Sequence, residues 1–305
     1  MAARPPTPEL PTDWRRWVLG ARPRTLPAAV APVLVGTAAT LRAPSELSLW
    51  RFLCALGVAL FVQVGTNYAN DYSDGKRGVD EPGARVGPPR LVGNGLATPA
   101  EVKRATIVAF ALTALCGLPL VLWVDPRLVL VGVAAIAAGW FYTGGPRPYG
   151  YAGFGEVFVF VFFGLVATAG SAWVQLERLT WEPVVGGVAM GFLATALLVV
   201  NNLRDIPGDT VAGKRTLAVR LGDRRTRVLY VVLVVLPMLL VPVLGGLGGR
   251  PLAALALLSV VPARRPVTAV LGGASGAGLV PVLAWTGQVQ ALYAVLLTVG
   301  LFLNP

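Results

Sequence analysis

Two stretches of this 305-residue chain concentrate the residues that could do chemistry. The first reads Asn67-Tyr-Ala-Asn70-Asp71-Tyr-Ser-Asp74-Gly-Lys76-Arg77. The second reads Asn201-Asn202-Leu-Arg204-Asp205-Ile-Pro-Gly-Asp209-Thr-Val-Ala-Gly-Lys214-Arg215-Thr216. Each sets an Asn four residues before an Asp, a second Asp three or four residues on, and then Gly-Lys-Arg. Residues at i, i+3 and i+4 share a helix face. Asn67, Asp71 and Asp74 therefore project together if the helix continues past Asn70, and so do Asn201 and Asp205. Asp209 follows Pro207-Gly208, a pair expected to break the helix, and is expected to reach the others from a loop. Carboxylates near a membrane are costly unless paired, and two acids on one face repel each other. A divalent cation resolves the repulsion. Oxygen ligands without His or Cys point to Mg²⁺ rather than Zn²⁺. Mg²⁺ commonly takes one or two carboxylates and completes its shell with substrate phosphate oxygens. Lys76, Arg77, Arg204, Lys214 and Arg215 then supply countercharge to that phosphate.

The elements that must hold these residues are apolar. Hydrophobic residues make up 55% of the chain and charged residues 13%, against about 25% charged in an ordinary soluble domain. So little polar surface cannot cover a water-facing globule of this size. Disorder, collagen and disulfide scaffolds are excluded by the same composition. The chain has no His, which removes histidine bases, histidine metal ligands and Ser-His triads. Cys54 and Cys116 lie alone in apolar runs and fit no metal or redox spacing.

A bilayer-crossing helix needs about 20 mostly apolar residues. Apolar runs predict spans at 26–41, 49–70, 105–124, 128–142, 155–174, 183–202, 228–247, 251–263 and 283–303. The stretch 264–282 reads as a loop with an interfacial helix or as part of the eighth span. The expected fold is an all-α polytopic membrane protein of about nine transmembrane helices. Residues 1–25 form a cytosolic leader and residues 26–305 a single transmembrane domain. The leader is rich in Pro and Arg, lacks the apolar core of a secretory signal, and is expected to carry an interfacial helix around residues 14–19.

Lys and Arg number 26 against 15 Asp and Glu. In a soluble protein that excess would suggest nucleic-acid binding. Here 21 of the 26 cations fall at one end of the predicted spans. They read as topogenic charge, with the lipid bilayer rather than nucleic acid as the partner. The N-terminus and both motifs then face the cytosol across the cell membrane, and nine crossings leave the C-terminus outside. The motifs close the second and sixth spans, which suggests two related halves facing each other.

At these residues the chain resembles the UbiA superfamily of intramembrane aromatic prenyltransferases. The family's first motif, N-x-x-x-D or N-D-x-x-D, is met by Asn67, Asn70, Asp71 and Asp74. Its second, D-x-x-x-D followed by G-K-x-T, is met by Asp205, Asp209, Gly213, Lys214 and Thr216. Within the family the chain is most similar to members that prenylate 1,4-dihydroxy-2-naphthoate, through residues 20–27, 67–80 and 142–156. Forms of the first motif with an Asp four residues after Asp74 find Gly78 here, and the next acid is Asp80.

The resemblance implies a ring of nine helices around a central cavity open sideways to lipid, with the motif loops capping its cytosolic end. It implies two Mg²⁺ ions bridged by substrate diphosphate and held by Asp71, Asp74, Asp205 and Asp209. Asn67, Asn70, Lys76, Arg77, Asn201, Arg204, Lys214 and Arg215 then surround the substrate. Polyprenyl diphosphate loses diphosphate, and the allylic cation is attacked by a ring carbon of 1,4-dihydroxy-2-naphthoate. Carbon dioxide leaves and demethylmenaquinol forms. Tyr142, Phe158, Phe160, Phe162 and Phe163 offer aromatic faces to the cation. Arg22 and Arg24 offer partners to the acceptor carboxylate, and Arg147 to the diphosphate or the acceptor. Glu156 would pair with a basic loop residue or handle a proton. Two alternatives stay open at this level. One is a family member acting on another acceptor such as 4-hydroxybenzoate. The other is a cation-coupled transporter, since transporters also place acids in repeated halves. The pattern of a CDP-alcohol phosphotransferase, D-G-x-x-A-R followed by G-x-x-x-D-x-x-x-D, is absent.

Overall fold

The computed structural model describes residues 10–41, 44–78 and 89–303. Asp80, the start of the leader and the topogenic Arg4, Arg42 and Arg85 lie outside the described residues. A short helix α1 (Arg15–Ala21) precedes a series of apolar helices. These are α2 (Pro27–Thr40), α3 (Leu49–Lys76), α4 (Pro99–Trp123), α5 (Leu128–Phe141) and α6 (Gly155–Leu176). They continue with α7 (Trp181–Val211), α8 (Leu217–Leu247), α9 (Pro251–Leu271) and α10 (Gly276–Leu303). No strand occurs among the described residues. Seven of the helices are long and apolar enough to cross a membrane. The other two apolar ones, α2 and α5, have 14 residues each. That is about 21 Å of helix, short of a hydrocarbon core of about 30 Å.

Local chemistry sets the helix ends. Thr98 caps α4 in a capping box with Glu101, and Pro99 occupies the first helical position. The Thr216 hydroxyl accepts the Val219 N–H at the start of α8, which bends at Gly222, where φ is 74°. One sequence expectation is corrected. Helix α7 runs unbroken through Pro207 to Val211, so Asp209 sits on the helix one turn after Asp205 and not in a loop. A single proline removes one backbone hydrogen bond, and helices in a bundle tolerate that where neighbouring groups satisfy the freed carbonyl. Residues 264–271 belong to α9, so Arg264 and Arg265 are helical.

The core lies along α7. Ala189, Met190, Leu193, Ala196 and Val200 are fully buried against residues of α2, α8, α9 and α10. Helices α4 and α5 instead expose Leu115, Leu122, Leu130 and Val133, as lipid-facing helices should. Small residues let backbones meet: a Cβ at Gly36 of α2 would run into the Thr168 carbonyl of α6. At the end opposite the motifs, Trp50 packs edge-on to Trp123 at 6.4 Å, and Trp173 donates to Asp125 at 3.0 Å. Hydrogen bonds from Arg127 hold the Asp125 carboxyl below the ordinary carboxylate range. This is the aromatic and charged belt expected at a membrane interface.

At the same end, α2 stops inside the bundle. Buried Arg250, from the α8–α9 turn, donates to the carbonyls of Ala38 at 3.2 Å and Leu41 at 2.7 Å. It thereby supplies donors that the last turn of a helix lacks. Arg250→Met should cost about 1–3 kcal/mol for each carbonyl left without a donor. A melting curve in detergent should fall by several degrees, and an unchanged midpoint would contradict this role.

Candidate active site

Helix α3 continues past Asn70 to Lys76, which places Asn67, Asn70, Asp71 and Asp74 on successive turns, all buried. Each has a distinct partner. The Asn67 amide donates to the Ala21 carbonyl at 2.9 Å and the Thr25 hydroxyl at 3.0 Å, tying the α1–α2 junction to α3. The Tyr68 hydroxyl adds a bond to the Trp17 carbonyl at 2.7 Å. Asp71 accepts the backbone N–H groups of Leu91 at 2.8 Å and Val92 at 3.0 Å, one on each oxygen. The Arg22 guanidinium acts electrostatically on the same carboxylate. Asn70 accepts the Thr143 hydroxyl at 2.8 Å. Asp74 accepts the Tyr151 hydroxyl on Oδ1, and Lys214 Nζ lies 3.7 Å from that oxygen.

The second motif is built around an ion pair. The Arg204 fork meets both oxygens of Asp205 at 2.7 Å and gives a further bond to Asn201 Oδ1 at 2.9 Å. Both residues are buried, and a bidentate guanidinium–carboxylate pair is among the strong charge-assisted interactions. The Asn202 amide donates to Glu156 at 2.9 Å, a neutral partner among the described residues where a basic loop residue was one expectation. The Asp209 carbonyl accepts the Lys214 N–H at 2.8 Å and turns the chain back toward the first motif.

The connection between α5 and α6 meets both motifs. Arg77 donates to the carbonyls of Thr143 and, at 2.5 Å, Gly145. The Arg215 N–H donates to the Tyr151 carbonyl at 2.9 Å. The Tyr151 ring meets two cations, with its centroid 4.3 Å from Lys214 Nζ and 5.4 Å from the Arg77 guanidinium carbon. Burial, and then the charge of Asp74, push the Tyr151 hydroxyl above the ordinary phenol value and keep it a donor. Tyr142 packs edge-on to Tyr149 at 5.5 Å. Burial, and then the Glu156 carboxylate, raise its hydroxyl in the same way. Below them Tyr149 stacks on Phe158 at 4.0 Å and Phe158 on Phe162 at 6.1 Å. Phe160 turns aside to Phe192 at 5.2 Å. This part of α6 is a π-helical turn over Phe160–Val166, a distortion frequent at functional sites.

The residues named from sequence thus separate into two sets. Asn70, Asp74, Arg77, Tyr142 and Lys214 converge with the α5–α6 connection, and Asn201, Arg204 and Asp205 form an adjoining group. Arg24, Lys76, Arg147 and the Arg215 side chain are exposed. Asn67 and Asp71 bind backbone groups of the flanking loops. Tyr151 and the Asn202–Glu156 pair were missed in their roles. The only signal for Tyr151 was an aromatic, glycine-rich run beside Glu156.

The donor set fits Mg²⁺. It consists of carboxylate and amide oxygens with cations close by. Among the described residues no three acidic or sulfur ligands form a ready-made metal cluster. Mg²⁺ sites completed by substrate phosphate have this character, in contrast to all-protein cages. A cleft of about 470 Å³ beside Arg16 and Glu101 and an apolar groove of about 350 Å³ between α4 and α5 are lined by none of the four aspartates.

The family profile described as "UbiA prenyltransferase family" matches residues 29–265. A 1,4-dihydroxy-2-naphthoate octaprenyltransferase of Mycobacterium tuberculosis is 49% identical over 282 residues, covering 92% of this chain and 95% of its relative. A protein of the same name from Escherichia coli is 41% identical, covering 69% and 70%. The structure of a UbiA homolog from Archaeoglobus fulgidus, bound to GPP and Mg²⁺, superposes with a TM-score of 0.61 at 17% identity, covering 94% and 99%.

Asn202→Leu should leave the Glu156 carboxylate buried without its amide donor, at a cost of about 1–3 kcal/mol or more. The melting temperature should drop, and adding Glu156→Gln should recover part of the loss by removing the charge. A double variant no more stable than the single one would contradict this pairing.

Proposed function

The chain belongs to the UbiA prenyltransferase family, and from the geometry above we infer how it works. It is an enzyme that transfers a polyprenyl group from polyprenyl diphosphate to 1,4-dihydroxy-2-naphthoate, with loss of diphosphate and carbon dioxide, giving demethylmenaquinol. The observation that carries the mechanism is the meeting of Asp74 from one motif with Lys214 from the other around a single tyrosine.

In our reading Asp71, Asp74, Asp205 and Asp209 would hold two Mg²⁺ ions at the diphosphate site. Two dications offset four carboxylates, which leaves the diphosphate charge to Arg77, Arg204 and Lys214. Lys76 and Arg215 extend that field at the rim. Bound Mg²⁺ supplies Lewis-acid and electrostatic stabilisation to the leaving diphosphate. The Arg204 fork orients Asp205 and gives up part of its hold as the anion arrives. The stack of Tyr149, Phe158 and Phe162 offers electron-rich faces to the allylic cation, each worth about 0.5–2 kcal/mol. The surrounding apolar helices keep water from that cation. Arg22 and Arg24 are assigned to the acceptor carboxylate, since guanidinium groups match planar carboxylates. Arg147 serves the same mouth. Asn67 and Asn70 act by fixing the flanking loops.

The protein is multi-pass and lies in a membrane. We assign the motif end to the cytosolic face of the cell membrane and the C-terminus to the outside, on the excess of Lys and Arg at the motif end.

Purified protein in detergent, given 1,4-dihydroxy-2-naphthoate and labelled polyprenyl diphosphate, should form demethylmenaquinol with Mg²⁺ and none with EDTA. Asp71→Asn and Asp205→Asn should each abolish product in protein that still inserts and folds. Near-normal turnover in either variant would remove that residue from the metal site. Diphosphate release without coupling would mean another acceptor.

A further inference from the structure

We propose that Tyr151 is the positioning residue of the diphosphate site: its hydroxyl sets Asp74 for the metal, and its ring sets Lys214 for the diphosphate. The inference rests on the prenyl-transfer reading of the site and adds a residue that lies in neither aspartate motif.

Three contacts converge on this side chain. Its hydroxyl donates to Asp74 Oδ1, on α3. Its ring face receives Lys214, from the turn after α7, at 4.3 Å. Arg77, just past α3, lies over the same ring at 5.4 Å. The backbone around it is fastened too. The Tyr151 carbonyl accepts the Arg215 N–H at 2.9 Å, and Arg220 donates to the next carbonyl, Ala152, at 2.9 Å. Two residues earlier the Tyr149 hydroxyl is anchored to the Ala138 carbonyl at 2.8 Å. A side chain held on this many sides holds its neighbours in turn.

The distances say what that does. Lys214 Nζ stops 3.7 Å from Asp74 Oδ1, whereas a charge-assisted hydrogen bond closes to about 2.7–2.9 Å. Lys214 has therefore not collapsed onto the carboxylate. The π face of Tyr151 takes part of its charge, and the hydroxyl occupies the oxygen that the ammonium would otherwise claim. Both contacts fall on Oδ1. Asp74 can then present Oδ2 to a cation without changing either contact. Hydrogen bonds to a ligating carboxylate commonly orient it in this way. Without the hydroxyl, Lys214 closes on Asp74, and Mg²⁺ must displace it. Without the ring, Lys214 loses the π face that holds its charge off Asp74.

The test uses full-length purified protein in detergent and a readout without turnover. Thermal stabilisation is recorded while Mg²⁺ is titrated in the presence of inorganic pyrophosphate. Tyr151→Phe keeps the ring and loses the hydroxyl. It should need about 10–100-fold more Mg²⁺ for half-maximal stabilisation, the range for removing a hydrogen-bond partner of a metal ligand. Tyr151→Leu loses both functions. It should also bind pyrophosphate more weakly at saturating Mg²⁺, and should raise KM for the prenyl diphosphate more than it lowers kcat. A residue that only braced the fold would lower the melting temperature of unliganded protein and leave both half-saturation points in place. Tyr151→His, which keeps a ring face and a donor, stands in if the Phe protein does not fold; it should shift the Mg²⁺ midpoint less than Leu does. A folded Phe variant with a wild-type Mg²⁺ curve, a folded Leu variant with wild-type Mg²⁺ and pyrophosphate curves, or a His variant that shifts the Mg²⁺ midpoint as far as Leu does would overturn the proposal. Wild-type protein that binds Mg²⁺ and pyrophosphate but couples no prenyl group would count against the acceptor reading and leave the role of Tyr151 standing on the titration.

Discussion

Charge in an apolar bundle has to be answered at short range, and this constraint organises the whole molecule. Water cannot solvate a carboxylate on a membrane helix, so each one needs donors or a countercharge from the protein. Three of the four motif aspartates illustrate different answers. Asp71 takes two backbone N–H groups, Asp205 takes a guanidinium fork, and Asp74 takes a phenol with an ammonium standing off. Asp209 contributes its carbonyl to the turn that carries Lys214. These answers draw the loops over one end of the bundle, because the donors lie in the loops.

The connection between α5 and α6 gains its importance from this. It contains none of the aspartates, yet Arg77 from the first motif and Arg215 from the second both bond to its backbone. It also starts the aromatic column that runs into α6, where the π-helical turn widens the helix. The same segment therefore bridges the charged group around Asp74 and the aromatic column, the two environments that the proposed reaction asks for. A leaving anion and a remaining cation need opposite environments a few ångströms apart, and a short rigid connection is a direct way to supply both.

Away from the site the same accounting holds with different groups. The end of short α2 is completed by Arg250, and the far surface is finished by tryptophans and the Asp125–Arg127 pair. Helix α7 is buried through most of its length while α4 and α5 turn apolar side chains outward. Glycine at position 36 allows α2 to approach α6 at backbone distance. Helix α7, which carries the second motif, is thus held largely by apolar packing.

Fold class and the two motifs are legible in the residues alone. Length, low charge content and apolar runs require membrane helices, and oxygen donors without histidine suit a hard cation. Both properties belong to residue types and short spacings, which folding does not change. Asp71 and Asp74 share a face because α3 continues through them, as the spacing required. What sequence could not supply is contact between residues far apart in the chain. Pro207 looked like a helix end, but tertiary packing keeps α7 helical to Val211 and carries Asp209 on it. Residues 264–282 read either as a loop or as part of the eighth span, and packing puts Arg264 and Arg265 on α9. Among the described residues Glu156 found a neutral partner in Asn202. Tyr151 lies 77 residues from Asp74 in the chain. No local pattern reports that pairing, because it exists only once the helices have packed and the loops have closed over their end.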